Sequence, residues 1–234
     1  MIREHAFNTR WWGAPVGAVT DPALFHLPEA ERRTLLAPYA WAESAMPIAD
    51  ARPHAAAMAA AGFVQVDTQV NFRLSLRRVP DGPSLADLQV ELADEQPFRI
   101  AADDLAPFAS ERFLQLPGAD QTRVNQRIAL WSAELLDQAP QHCLRILYRG
   151  QVQGWFLSSP GEQRGLNLTL AMSARDANIS GIYVYQKAFR AYADRGHVLG
   201  WASFSIMNTA VHNIYASLGA HFLPPWGNWL WVAS

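Results

Sequence analysis

Residues 142–173 read HCLRILYRGQVQGWFLSSPGEQRGLNLTLAMS. Short runs rich in Leu, Ile, Val and aromatics are broken by Arg149-Gly150 and again by Pro160-Gly161. That pattern predicts strand, tight turn, strand, turn, strand, an antiparallel meander. The period then changes. A helix is predicted over about 180–194, with Gly196 as its stop and Arg195 favourable beside the C-terminal dipole. A strand follows over 197–206, a helix over 209–218, and a closing strand pair over 219–232. Before the meander, RVNQRIALWSAELL (123–136) places Val124, Ile128, Trp131 and Leu135 on one helical side. Antiparallel strands giving way to strand-helix-strand indicate an α/β fold, a mixed and mostly antiparallel sheet covered by helices.

The first half is expected to be a smaller N-terminal α/β domain over 1–80. Residues 53–76 read as an alanine-rich helix, a stop at Gly62, and a strand with Val64, Val66, Thr68, Val70, Phe72 and Leu74 on one face. Residues 81–97 gather prolines, a glycine and acidic side chains, and are expected to connect to a main domain over 98–234, with room for a short strand inside. AAAMAAAGFVQV and NIYASLGAHFLP echo one another as helix, glycine, aromatic, strand. The echo fits either a degenerate internal relative or two similar joins.

Composition excludes several classes. Nineteen basic against 21 acidic residues give a net charge of −2, so no electrostatic footprint for nucleic acid or an anionic membrane is present. The opening MIREHAFNTRWW lacks the apolar run of a secretory signal, and the alanine-rich stretch at 55–64 is too short to span a bilayer. A soluble, cytoplasmic protein is expected. Cys143, the single cysteine, opens an apolar strand and reads as a buried, inert thiol. The seven histidines form no ligand spacing, so no metal is expected. No G-x-S-x-G elbow supports a serine hydrolase.

Residues 208–222, NTAVHNIYASLGAHF, carry a resemblance. Asn208, Tyr215, Leu218 and Gly219 fit the N-x6-Y-x2-L-G-F ending of the GNAT family of acyl-CoA-dependent N-acetyltransferases, with Ala220 in the aromatic's place and Phe222 two positions later. That family's pyrophosphate signature, Q/R-x-x-G-x-G/A, is matched only at Gly181, within NISGIY; Asn178 replaces Gln/Arg and Tyr183 replaces the last small residue. The N-terminal FNTRWWG (7–13), residues 59–76 and residues 108–131 are similar to the TDP-fucosamine N-acetyltransferase group, which acetylates nucleotide-linked amino sugars.

The resemblance implies acetyl-CoA as cosubstrate and a small-molecule acceptor, a nucleotide amino sugar, with assembly as a homodimer left open. It implies that residues Asn178, Ile179, Ser180, Gly181, Ile182 and Tyr183 hold the carrier's pyrophosphate at a helix N-terminus. It likewise implies that backbone N–H groups near Leu170, Ala171 and Met172 meet the pantetheine arm, that Asn208 belongs to the carrier site, and that Tyr215 protonates the departing thiolate. Arg112 and Phe113 are candidates for the acceptor's phosphates and base, with packing roles as the alternative. On periodicity alone Tyr215 falls on the apolar stripe Val211, Ile214, Tyr215, Leu218 and reads as core. No carboxylate lies in LNLTLAMS to act as base. Two other readings stay open: a GNAT-fold acyltransferase with a peptide or other small amine as acceptor, and a non-catalytic CoA- or ligand-binding module.

Overall fold

The computed structural model describes residues 1–80, 86–162 and 164–233. It divides into two compact units: Met1–Val70 with Arg112–Ala119 and Pro224–Ser234, and Asn71–Glu111 with Asp120–Leu223.

The first unit holds β1 (Ile2–Glu4), α1 (Ala6–Trp12), β2 (Val16–Val19), α2 (Glu29–Leu36), β3 (Trp41–Pro47), α3 (Ile48–Ala51) and α4 (Ala55–Ala60). It also takes the first part of β4 (Val64–Ser75) and the last part of β10 (His221–Val232). Its strands run in the order β1-β2-β3-β10-β4. β2 and β3 are parallel, while β10 runs antiparallel to β3 from Trp226↔Pro47 to Val232↔Trp41. Leu24, Phe25, Met58, Phe63 and Trp229 pack one core. Burial of each such side chain contributes on the order of 2 kcal/mol. Trp11, Trp41 and Phe113 form a second aromatic group, with ring centroids 5.4–6.4 Å apart.

The second unit contains β5 (Leu88–Leu92), α5 (Gln121–Gln138), β6 (Cys143–Tyr148), β7 (Gln151–Pro160), β8 (Gly165–Ser173), α6 (Gly181–Asp194), β9 (Leu199–Ser205) and α7 (Thr209–Ser217). Strand order is β4-β9-β8-β7-β6-β5. β5 through β8 pair antiparallel and β8 pairs β9 in parallel, so the meander and the change of direction both sit where the sequence puts them. Asp120 caps α5 by accepting from the Arg123 N–H at 2.8 Å. The apolar side of α5 (Ile128 and Leu135) packs on Trp155, Leu157, Leu170 and Met172. The rings of Tyr185 and Phe189 on α6 meet Phe156 edge-on.

Two expectations are corrected, for the closing strands and for the face of β4. The closing strand pair is one strand, β10, of 12 residues. Pro224-Pro225 looks like a turn, but proline tolerates extended backbone wherever no N–H is needed, and ladder pairing to β3 begins just after it, at Trp226. The short strand allowed for within 81–97 is β5, an edge strand paired from Leu88↔Tyr148 to Leu92↔Leu144; residues 81–85 lie outside the described residues, as does Gln163. The shared face of β4 is buried only toward its end: Phe72 and Leu74 are 1% exposed, but Val64 is 64% exposed and Asp67, on the opposite face, is buried.

The sequence echo has a local cause. Gly62 and Gly219 have φ of +81° and +76°. Phe63 N–H donates to Met58 O at 2.9 Å and Ala220 N–H to Tyr215 O at 3.0 Å, with Gly62 and Gly219 N–H donating to Ala59 O and Ala216 O. Both are Schellman stops. Gly196, at φ +91°, makes the same two bonds through Gly196 to Ala193 O and His197 to Tyr192 O.

Candidate functional site

β8 and β9 pair at Gly165↔Leu199, Leu166↔Gly200 and Asn167↔Trp201. Among the described residues the ladder stops there, leaving a fork between Leu168–Ser173 and Ala202–Ser205. Two glycines fit the strands together below the fork. A β-carbon on Gly200 would stand 2.6 Å from Leu168 Cδ1, and one on Gly165 only 1.8 Å from the Trp201 ring.

The backbone of β8 sorts the candidate N–H groups. Ala174 N–H donates to Gln153 O at 3.1 Å, and the register runs without interruption from Gly154↔Ser173 to Leu157↔Leu170. Antiparallel ladders alternate, so Leu170 and Met172 direct their N–H groups at β7. Ala171 N–H points away from β7, into the fork. Of the three residues expected to meet a carrier's arm, only Ala171 has a free direction in which to donate.

After β8 the chain runs through Ala174–Ser180 into α6. Ser180 is the N-cap residue, with no side-chain hydrogen bond to the first turn. The opening N–H groups of α6 are therefore not consumed by a cap, and the positive end of the helix dipole faces outward beside exposed Ser180. Asn178 is held by its N–H to Gln153 Oε1 at 2.9 Å and by its Nδ2 to Gln151 Oε1 at 3.3 Å. Ile179 and Ile182 are half-buried, and Tyr183 is 40% exposed. A β-carbon on Gly181 would meet Ile214 Cδ1 at 3.2 Å, so this glycine sets how closely α6 approaches α7.

Asn208 caps α7 by accepting from Val211 N–H at 3.2 Å. Tyr215 is 3% exposed, its ring lying among Phe72 (4.0 Å between centroids), Tyr185 (5.5 Å), Phe204 (5.6 Å) and Phe189 (6.0 Å). Burial first, then the phenols of Tyr185 and Tyr192, push its hydroxyl well above the usual tyrosine range. It stays protonated wherever the protein is folded. The core position implied by periodicity is thus present, with the hydroxyl as the one group left for chemistry.

Leu170–Met172, Asn178–Tyr183, Asn208 and Tyr215 all belong to the second unit; Arg112 and Phe113 belong to the first. Phe113 is fully buried against Trp11 and Trp41, and has no surface to offer an acceptor. Arg112 pairs with Glu43 at 3.6 Å and lies over the Phe113 ring. Sequence reasoning missed the wall of the fork: Trp201, Trp131, Asn167 and Ser203 line a groove there. The signal was Gly165, a glycine inside a strand pattern, which marks a close approach. Among the described residues no group of three or more His, Cys, Asp or Glu could hold a metal, and no helix is long and apolar enough to cross a membrane.

No protein-family model matches the sequence, and no curated protein matches it significantly. Solved structures share the fold. A GCN5-related N-acetyltransferase from Sphaerobacter thermophilus superposes with a TM-score of 0.51 at 14% identity, over 81% of this chain and 59% of its own. A tandem GNAT protein of the clavulanic acid biosynthesis pathway gives 0.55 at 16%, over 95% and 76%. The glucosamine N-acetyltransferase region of a fungal multi-domain GH3 β-N-acetylglucosaminidase gives 0.59 at 11%, over 93% of this chain and 30% of that one. The chain therefore spans less than two thirds of the first and last of these. Its architecture is the GNAT fold.

Proposed function

We propose that this protein is an acyl-CoA-dependent N-acetyltransferase whose acceptor is the amine of an amino sugar. One observation carries the reading: the fork of β8 and β9, with Ala171 N–H directed into it and the uncapped start of α6 following β8. An extended pantetheine arm needs a strand edge with unclaimed N–H groups, and a pyrophosphate suits free N–H groups at a helix N-terminus. Both lie on one stretch of chain, from Ala171 to Tyr183. Acetyl-CoA would supply the activated thioester.

This chain's residues then have separable tasks. Ala171 N–H donates to the arm and holds its end in the fork. The first turn of α6, from Gly181, neutralises the pyrophosphate, with Asn178 fixing the loop before it. Asn208 positions α7 through its cap. Tyr215, kept neutral by burial, donates its phenolic proton to the sulfur that leaves as the N–C bond forms and the C–S bond breaks. No carboxylate of β8 is available as base, so water removes the proton from the attacking amine. The amino-sugar acceptor is supported by the similarity of residues 7–13, 59–76 and 108–131 to nucleotide-sugar acetyltransferases, and by the fungal glucosamine N-acetyltransferase region that shares the fold. The nucleotide-sugar acetyltransferases take nucleotide-linked acceptors; whether the amino sugar here carries a nucleotide is a separate question, which the lining of the groove at the fork addresses. Phe113 would not contact its base, because it is buried.

Calorimetric titration with coenzyme A, followed by an assay of thiol release from acetyl-CoA with glucosamine as acceptor, tests the proposal. Saturable binding and amine-dependent thiol release are expected. Binding without release for any amine would make the protein a carrier-binding module, and absence of binding would remove the acyltransfer reading altogether.

A further inference from the structure

We infer that the groove at the fork selects an acceptor whose only charge is its reacting amine, a free amino sugar rather than a phosphorylated or nucleotide-linked one. The inference rests on the acyltransfer reading, since that reading makes the fork the place where the amine meets the thioester.

The groove belongs wholly to the second unit, is open to solvent, and has a volume of about 440 Å³. Its polar lining is Asn71, Asn167, Thr169 and Ser203, its aromatic lining includes Trp131 and Trp201, and none of its lining residues is Asp, Glu, Lys, Arg or His. Leu168, Thr169, Ala202 and Ser203 in its wall are the first residues past the last β8–β9 pair, Asn167↔Trp201. The groove therefore opens at the point where the strands part. The Trp201 indole packs against Gly165, whose missing side chain leaves room for it. Asn167 is fixed by its own amide, which donates to Pro160 O at 3.1 Å and to Ser159 Oγ at 3.4 Å, so its carbonyl oxygen has a set direction. Arg127 stacks 5.5 Å from the Trp131 ring centroid, is only 7% exposed, and is not among the lining residues of the groove.

A sugar ring presents C–H faces and a rim of hydroxyls. Tryptophan faces take the former, and amides and hydroxyls take the latter. Phosphate asks for something else: Arg or Lys in bidentate or point-charge contact, or a helix N-terminus. Among its described lining residues the groove offers none of these, and a phosphate against its walls would exchange part of its water for uncharged partners. A free amine, by contrast, enters best in its neutral form, which is also the reactive one. The same lining thus favours both the ring and the protonation state that attacks.

The experiment separates this inference from the reading beneath it. Coenzyme A affinity is measured first by calorimetry; if it does not bind, the acyltransfer reading fails and the inference falls with it. With acetyl-CoA saturating, kcat/KM is compared for glucosamine, glucosamine 6-phosphate and a UDP-linked amino-deoxy sugar, alongside equilibrium binding of the first two to the coenzyme A-loaded protein. At least tenfold preference for glucosamine is expected in both measurements. Ser203 is exposed at the groove, so Ser203→Arg adds a cation without disturbing the core. It is expected to shift the ratio toward the 6-phosphate by an order of magnitude, read at acetyl-CoA concentrations that saturate the variant. Equal or better use of the phosphorylated or nucleotide-linked acceptor by the unmodified protein would overturn the inference. So would turnover confined to peptide amines, or a Ser203→Arg variant that binds coenzyme A normally with an unaltered ratio. Each of these leaves the donor site standing.

Discussion

Gly181 and Ile214 meet across two helices: a β-carbon on Gly181 would stand 3.2 Å from Ile214 Cδ1. The glycine that matches a phosphate-binding signature therefore acts through helix packing as well as through open backbone. Gly181→Ala is expected to push the start of α6 off α7 by a few tenths of an ångström and to weaken coenzyme A binding about 3- to 10-fold, an energy of roughly 0.7–1.4 kcal/mol. Adding Ile214→Ala to it should restore most of the affinity. Calorimetry on the single and double variants checks this, and failure of the second change to rescue would place the effect of Gly181 at the ligand instead.

Tyr215→Phe removes a hydroxyl from a ring packed against Phe72, Phe204 and Phe189. Turnover should fall on the order of 10²-fold or more, with the melting temperature and coenzyme A affinity little changed. Single-turnover rates and thermal melts measured together decide the matter. An undiminished rate would leave Tyr215 as packing only.

Acid should loosen one corner of the second unit. The rings of His142 and His197 lie 5.0 Å apart between centroids. Burial is the largest cause holding both below the usual 6.5; His197 and Arg195 lower His142 further while Asp94 opposes, and Arg195 lowers His197 against a hydrogen bond that the His197 ring donates to the Arg164 backbone. Because the folded state binds these protons less readily than the unfolded chain, stability is full above about pH 6.5 and declines as pH falls below it. Urea titrations at pH 7.5 and 5.5 should show this decline, and His197→Gln should flatten it. An equal slope in the variant would locate the acid sensitivity elsewhere.

Cys143 is fully buried, and burial raises its thiol to about 11. It should react with a maleimide only after unfolding, so the labelling rate in native buffer should track global unfolding in urea. Rapid labelling of the native protein would show that β6 opens locally.

Much of the fold was legible because its signals are local. Arg149-Gly150, the stripe Val124, Ile128 and Leu135, and the stops at Gly196 and Gly219 each depend on a few neighbouring residues, and each lies where the pattern puts it. The sequence suggests a strand pair over 219–232 where one strand runs, because the effect of Pro224-Pro225 on a strand depends on which partner needs its N–H, a tertiary matter. The fork was illegible for the same reason. No residue near Asn167 announces that pairing to β9 ends there, and the role of Trp201 depends on a glycine 36 positions earlier that it covers in space. For Arg112 and Phe113 the sequence leaves acceptor binding and packing both open; Phe113 is buried by Trp11 and Trp41, both distant in sequence and so invisible to a local reading.

The amide of Ala171 tests the central claim most directly. Hydrogen exchange resolved by residue, measured with and without acetyl-CoA, compares it with its neighbours. Leu170 and Met172, already bonded to β7, should exchange slowly in both states. Ala171, together with Gly181 and Ile182, should gain at least tenfold protection when acetyl-CoA is added. Protection of the first turn of α6 and of Ala171 together is the expected result; unchanged exchange at Ala171 with saturating ligand would contradict the assignment of the fork as the site that holds the acyl carrier.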